Sequence, residues 1–151
     1  MVYLVVAGAV FVTDLFIKNR IEKSRKLGET EEICKGRILL TKYYNRGAAL
    51  NFLEKRPQMM TVIHSGMVGF LAGVFAALAG KGKNPGLLTG LAMMLGGGAN
   101  NLYDRIKKKH VVDYFSFPVK WKWLRKIVFN LSDIFIFVGG LLVAIFARKS
   151  E

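Results

Sequence analysis

From Met59 to Ala79 the chain carries no Asp, Glu, Lys or Arg. A soluble fold has little use for such a run. A bilayer core about 30 Å thick takes roughly 20 apolar residues of helix, and this run matches it. Three further apolar runs accompany it: Val2 to Ile17, broken only by Asp14, about Leu87 to Tyr103, and about Ile127 to Ala147. Hydropathy therefore predicts four spans, at about 2–17, 59–79, 87–103 and 127–147, the first and third short. Composition agrees, since 52% of residues are apolar while the formal net charge is +13. Those two properties need separate places, and spans joined by basic loops supply them. A chain of 151 residues has room for one domain, so 1–151 is expected to be a single transmembrane unit. The first run has no basic residues ahead of it and reads as a retained helix, not a cleaved leader. Cys34 is the sole cysteine, which rules out an internal disulfide or a cysteine metal cluster and leaves it as an ordinary loop residue.

The loops are unequal. Segments 18–56 and 104–126 are long, while Gly80 to Gly86 (Gly-Lys-Gly-Lys-Asn-Pro-Gly) is a short breaker turn. Antiparallel threading puts both long loops on one side and both termini on the other. Arg37 to Tyr44 is β-prone, bounded by Gly36 and the Asn45-Arg46-Gly47 turn. Phe115, Phe117, Val119, Trp121 and Trp123 alternate with Ser116, Pro118, Lys120 and Lys122, which reads as an extended segment with one apolar face, or as a plain loop with aromatic anchors. The expected fold class is an all-α membrane protein: four transmembrane helices with a small extended or β platform in the long loops.

Ionisable residues are costly inside a membrane and by default mark function. Asp14 comes late in the first span, Asp104 at the end of the third, Asp133 within the fourth, and Asp113 lies in the apolar run His110 to Phe115. With Asn100, Asn101 and Asn130 they all fall toward one face. Two carboxylates close together in low dielectric share a proton. One can then activate a water while the other hydrogen-bonds a scissile carbonyl. No metal or other cofactor is needed, and His64 and His110 are too far apart in sequence, with no helical His partner, to suggest a metal site. Plainer roles compete. Asp14 is one helical turn from Lys18 and suits an i,i+4 ion pair; Asp104 could pair with its neighbour Arg105; His64 suits an interhelical hydrogen bond. The spacings Gly69 to Gly73 and Gly86 to Gly90, and the run Gly96-Gly97-Gly98, suit close helix packing. The methionines at 59, 60, 67, 93 and 94 read as packing or lipid-facing. Polarity and threading do not choose among the four aspartates.

Four blocks do. Asp14-Leu15-Phe16-Ile17-Lys18, Asn45-Arg46-Gly47-Ala48-Ala49-Leu50, Gly96 to Arg105 with Val111-Val112-Asp113-Tyr114, and Phe129-Asn130-Leu131-Ser132-Asp133 stand in this order. They resemble the Asp-Gln-x-x-Lys, Asn-x-Gly-Ala-Ala-Phe, Gly-Gly-Ala-x-Gly-Asn-x-x-Asp-Arg, Val-Val-Asp-Phe and Phe-Asn-x-Ala-Asp blocks of lipoprotein signal peptidase, the bacterial signal peptidase II family. The resemblance covers every span and both long loops. It implies that Asp113 and Asp133 are the catalytic pair. It implies that Asn45, Gly47, Asn101, Arg105 and Asn130 support the pair or hold substrate, and that Asp14, Lys18 and Asp104 are structural. Leu15, Leu50, Asn100, Lys109 and Ser132 depart from the usual Gln, Phe, Gly, Gly and Ala.

The implied activity is removal of signal peptides from diacylglyceryl-modified prolipoproteins, by cleavage before the lipidated cysteine. The implied setting is the cytoplasmic membrane, with both termini in the cytoplasm and the site near the outer face. Charge argues otherwise: eleven Lys and Arg lie between Lys18 and Arg56 and eight between Arg105 and Lys126, and the positive-inside rule would put those loops inside. That rule is a bias, and the resemblance sets the orientation adopted here. Basic outer loops would then favour anionic outer-leaflet lipid, or lipid-linked substrate, as an electrostatic partner. Replacing Lys107, Lys108 and Lys109 by Gln should alter the salt sensitivity of turnover on membrane substrate, and an unaltered sensitivity would sink that idea. A different class, a small four-span proton-coupled exporter, would use one mid-span carboxylate and short loops. Nucleic-acid binding would rest on the basic charge alone and does not fit the apolar spans.

Overall fold

The computed structural model describes residues 1–47, 53–80 and 84–148. Ala48, Ala49 and Leu50 of the second block lie outside the described residues, as do Lys81, Lys83 and Lys149. The elements, in chain order, are α1 (Val2–Ser24), β1 (Thr30–Ile33), β2 (Ile38–Asn45), α2 (Pro57–Ala79), α3 (Pro85–Lys108), β3 (Val111–Ser116) and α4 (Leu131–Ala147), with a 3-10 turn at Leu124–Lys126. Helix starts follow local chemistry. Pro57 and Pro85 occupy first-turn positions where a missing N–H costs nothing. The Asn84 side chain caps α3 by accepting from the Leu87 N–H at 3.0 Å.

α3 is central and packs against α4, α1 and α2. Its glycines permit this. A Cβ on Gly90 would lie 2.6 Å from the Gly139 carbonyl oxygen, one on Gly96 2.4 Å from that of Ala7, and one on Gly97 2.6 Å from that of Ser132. A Cβ on Gly86 would lie 2.5 Å from the Phe146 ring. The same expectation fails for Gly69 and Gly73, where a Cβ would meet nothing within 4 Å. α2 packs only loosely, and among the described residues it contributes none that is buried.

Polarity is distributed inside out. Asp14, Lys18, Asn100, Asp104 and Asn130 are fully buried, while Phe16, Val62, Phe70 and Phe137 are about two-thirds or more exposed. Large apolar side chains facing outward around a polar interior are what a lipid environment stabilises. By length and hydropathy α1 and α2 can cross a membrane, and α4 is a shorter apolar helix.

The platform is a three-stranded antiparallel sheet of order β1-β2-β3. Tyr43 pairs with Asp113 and Asn45 with Val111, with an irregularity between Leu40 and Tyr43. Ile21, Val112 and Tyr114 form a small core where the sheet sits on the end of α1. The Lys42 ammonium ties β2 to that end through the Glu22 and Arg25 carbonyls, at 2.8 and 3.0 Å.

Several boundaries differ from the hydropathy reading. α1 continues past Ile17 to Ser24 and α3 past Tyr103 to Lys108, so Lys18, Asp104 and Arg105 are helical. A charge ends an apolar run without ending a hydrogen-bonded helix. α4 starts at Leu131, after an extended segment at 127–130. The alternating run from Phe115 leaves the sheet at Ser116. Pro118, with no N–H to donate, stands just beyond, and Trp121 and Trp123 are exposed.

Candidate active site

β3 and α4 are joined just before the helix begins. The Phe129 N–H donates to the Phe115 carbonyl at 2.7 Å, and Tyr114 and Phe115 donate back to the Phe129 carbonyl at 2.9 and 3.0 Å. Asn130 therefore leaves the sheet as the N-cap of α4. It forms a reciprocal capping box: its side-chain oxygen accepts from the Asp133 N–H at 2.9 Å, and its own N–H donates to Asp133 Oδ2 at 3.0 Å.

The same asparagine reaches the strand. Asn130 Nδ2 donates to Asp113 Oδ1 at 2.7 Å and to Asn101 Oδ1 at 3.1 Å. Asn45 Nδ2 donates to the other Asp113 oxygen at 3.0 Å, and Asn101 Nδ2 to Asp133 Oδ1 at 3.0 Å. Each carboxylate thus has two N–H donors, and Asn130 serves both. Asp113 is buried, and that burial, followed by the charge of Asp133, raises its carboxyl to about 8. Asp133 sits in the first turn of α4, where the helix dipole favours negative charge.

Asn45, Asn101, Arg105, Asp113 and Asp133 line one cavity of about 400 Å³ between α2, α3, α4 and the sheet. Met60, Met67, Ile127, Phe129 and Phe137 supply its apolar wall. Arg105 spans its rim, its Nη2 donating to the Gly47 carbonyl at 2.6 Å and its Nε to His64 Nδ1 at 3.2 Å. Apolar walls with a few converging polar groups suit an extended, largely hydrophobic ligand.

Behind this layer lies a second. The buried Lys18 ammonium meets Asp14 and Asp104 at 3.1 Å each, Asn100 Oδ1 at 2.6 Å and Asn101 Oδ1 at 2.7 Å. Asn101 is the link between layers: its oxygen accepts from Lys18 and its nitrogen holds Asp133.

The sequence matches the family described as signal peptidase (SPase) II over residues 6–148. The chain belongs to that family. It is 34% identical to the lipoprotein signal peptidase of Halothermothrix orenii over 151 residues, covering all of this chain and 97% of the relative. Against that of Ectopseudomonas mendocina it is 30% identical, covering 99% and 89%. Its fold is that of a solved bacterial membrane enzyme, with a TM-score of 0.84 at 22% identity over 98% of this chain and 88% of the other. A second solved bacterial membrane enzyme gives 0.83 at 21%, over 99% and 94%.

As a member of the signal peptidase II family the chain is a membrane protease, and the exporter reading has no support. Within this peptidase every sequence-nominated polar residue joins one network. Asp113, Asp133, Asn45, Asn101 and Arg105 face the cavity, Asn130 bridges the aspartates, and Gly47 enters through its carbonyl. Asp14 and Lys18 pair as expected. The expected pairing of Asp104 with Arg105 is replaced by Asp104 with Lys18 and with Lys108 at 3.0 Å. Sequential neighbours on a helix point about 100° apart, whereas i,i+4 residues share a face. His64 makes the interhelical bond expected of it. Tyr114 and Ser132 were not nominated. Their only signal was that each carries a hydroxyl where the resembled block has Phe or Ala.

Proposed function

We propose that this signal peptidase II is an aspartic endopeptidase that removes signal peptides from diacylglyceryl-modified prolipoproteins, cutting before the lipidated cysteine. Asp113 and Asp133 are the catalytic pair. The observation that carries this reading is Asn130: one buried residue holds Asp113 through its amide and Asp133 through its capping box, on the wall of a single cavity. With its carboxyl raised to about 8, Asp113 carries a proton at neutral pH. It hydrogen-bonds the scissile carbonyl oxygen. The Asp133 carboxylate takes a proton from a water, the resulting hydroxide attacks the carbonyl carbon, and that proton passes to the departing amine as the C–N bond breaks. Asn45, Asn101 and Asn130 hold the carboxyls, Arg105 and Gly47 shape the rim, and Asp14, Lys18 and Asp104 are the supporting ionic layer.

In this reading residues 1–151 form one transmembrane unit and all four helices cross the membrane. At a 1.5 Å rise per residue, the 17 residues of α4 span about 26 Å, and its capped start sits at the interface with the sheet. The termini are cytoplasmic and the site is near the outer face of the cytoplasmic membrane. The apolar cavity wall takes the hydrophobic signal peptide. Of the lysines offered to anionic lipid, Lys108 is already engaged by Glu22 and Asp104 and Lys109 donates to the Ile106 carbonyl at 3.0 Å, which leaves Lys107 as the first candidate for that role.

The test uses the purified protein with a diacylglyceryl-modified precursor and the same precursor unmodified. Cleavage of the lipidated form alone supports the assignment. Equal cleavage of both, or of neither, overturns it.

A further inference from the structure

Asp113 and Asp133 each have an immediate neighbour that bears a hydroxyl, and both hydroxyls end on one carboxylate. Successive strand residues point to opposite faces. Asp113 faces the cavity, so Tyr114 faces away from it, toward α1. There the Tyr114 hydroxyl donates to Asp14 Oδ1 at 2.8 Å and accepts from the Leu131 N–H at 2.9 Å. The Ser132 hydroxyl donates to Asp14 Oδ2 over a short contact, and the Ser132 N–H donates to the same oxygen at 3.2 Å. Asp14 and Ser132 are fully buried and Tyr114 nearly so.

The consequence is geometric. The first turn of a helix presents N–H groups with no partner inside the helix. In α4 the Leu131 N–H goes to Tyr114, the Ser132 N–H to Asp14 and the Asp133 N–H to Asn130. Three side chains from α1, β3 and the N-cap thus seat the turn that carries Asp133. One of them, Tyr114, is fixed by the backbone to Asp113. Asp14 is itself anchored by Lys18 at 3.1 Å, and Lys18 is held by Asn100 and Asn101. Burial, with the Asp14 charge next, pushes the Tyr114 phenol up, so it remains a donor throughout the working pH range. Asp14, Tyr114 and Ser132 stand outside the cavity lining and reach the reaction only through their neighbours.

We propose that Tyr114 and Ser132, acting through Asp14, are positioning residues that set the relation of the two catalytic carboxyls from behind the site. The proposal rests on Asp113 and Asp133 being the catalytic pair. Asn100, Tyr114 and Ser132 each add a hydrogen bond to the Asp14–Lys18 pair.

The experiment measures kcat, KM and the pH–rate profile on lipidated precursor for Tyr114→Phe, Ser132→Ala, the double variant and Ser132→Thr. Small displacements of reacting groups cost one to two orders of magnitude, so each single loss should lower kcat roughly tenfold with KM little changed. The alkaline limb should move, because the interaction between the carboxyls changes with their spacing. The double variant should lose less than the product of the singles, since both hydroxyls act through one carboxylate. Ser132→Thr, which keeps the hydroxyl, should restore the wild-type profile. Wild-type kcat and pH profile in Tyr114→Phe and Ser132→Ala would overturn the proposal, even if Tm fell, since that pattern is a purely structural role. If Tyr114→Phe does not accumulate folded, the Ser132→Ala and Ser132→Thr pair decides alone. Asp113→Asn and Asp133→Asn separate the two readings. Activity in either one removes the catalytic assignment, whereas inactivity in both beside indifferent hydroxyl variants removes only the clamp.

Discussion

Replacing Asn130 probes the centre of the site, because that side chain has two separable duties. Its oxygen caps α4 by accepting from the Asp133 N–H at 2.9 Å, and its nitrogen donates to Asp113 at 2.7 Å and to Asn101 at 3.1 Å. Asn130→Ala removes both. Loss of a cap costs about 1 kcal/mol. An amide donor taken from a buried carboxyl or amide partner costs about 1–3 kcal/mol more. The fold should therefore lose roughly 2–4 kcal/mol in total. Asn130→Ser keeps a good N-cap but has no nitrogen to offer Asp113, so most of the cap contribution survives. If the Asn130 to Asp113 bond supports the reaction, its loss of about 1.5–3 kcal/mol lowers kcat by about ten- to a hundredfold. The assay is single-turnover cleavage of lipidated precursor in lipid or detergent, beside thermal unfolding. Asn130→Ser should lose only the donor's share of stability, about 1–3 kcal/mol, with a smaller fall in Tm than Asn130→Ala and kcat reduced by that factor, and Asn130→Ala should lose the cap contribution as well. An Asn130→Ser enzyme with undiminished kcat would refute the reasoning.

Three further outcomes are expected. Gly97→Ala should sharply reduce both thermal stability and activity, because its Cβ would sit 2.6 Å from the Ser132 carbonyl oxygen beside Asp133, while Gly73→Ala, with nothing within 4 Å, should be silent in both assays. The pH–rate profile should fall on its alkaline side as Asp113, raised to about 8, loses its proton; in the proposed mechanism the protonated form is the working form, so activity should be lost as pH rises through that value, and a flat profile through pH 10 would contradict the proposed role. Lys109, left-handed at φ 65 as the C-cap of α3, should gain about 1 kcal/mol of stability on replacement by Gly, read as a higher Tm.

The helices were legible in the sequence because each contains a long apolar run, and β2 was legible from Ile38 to Tyr44. Helix ends were not. Lys18, Arg20 and Glu22 extend α1 beyond its apolar run, and hydropathy stops where charge begins although backbone hydrogen bonding does not. β1 escaped notice because Thr30-Glu31-Glu32-Ile33 has weak strand propensity. Charged residues there suit an edge strand.

At the site, composition and threading brought four aspartates to one face without ranking them, and only the ordered blocks singled out Asp113 and Asp133. Helical spacing marks the Asp14–Lys18 pair but not the pairs made between helices. Asp104 ignores its neighbour Arg105 for Lys18, far along the chain, because partners in a helical bundle are set by which faces meet. Gly69 and Gly73 show the same limit: small residues permit close packing, and here no helix takes the offer. The Lys109 departure does have a local reading, since the resembled block has Gly at a position that here adopts positive φ. Asn100, Tyr114 and Ser132 became meaningful only once the fold brought them to a single ion pair.

The most direct test of the catalytic assignment is cleavage of a diacylglyceryl-modified precursor by Asp113→Asn and Asp133→Asn, each confirmed to be folded by its thermal unfolding. Asn is nearly isosteric with Asp but neither accepts a proton from water nor donates a carboxyl proton. The expected result is that both variants are folded and neither cleaves. Turnover at the wild-type rate by either one would contradict the aspartyl pair.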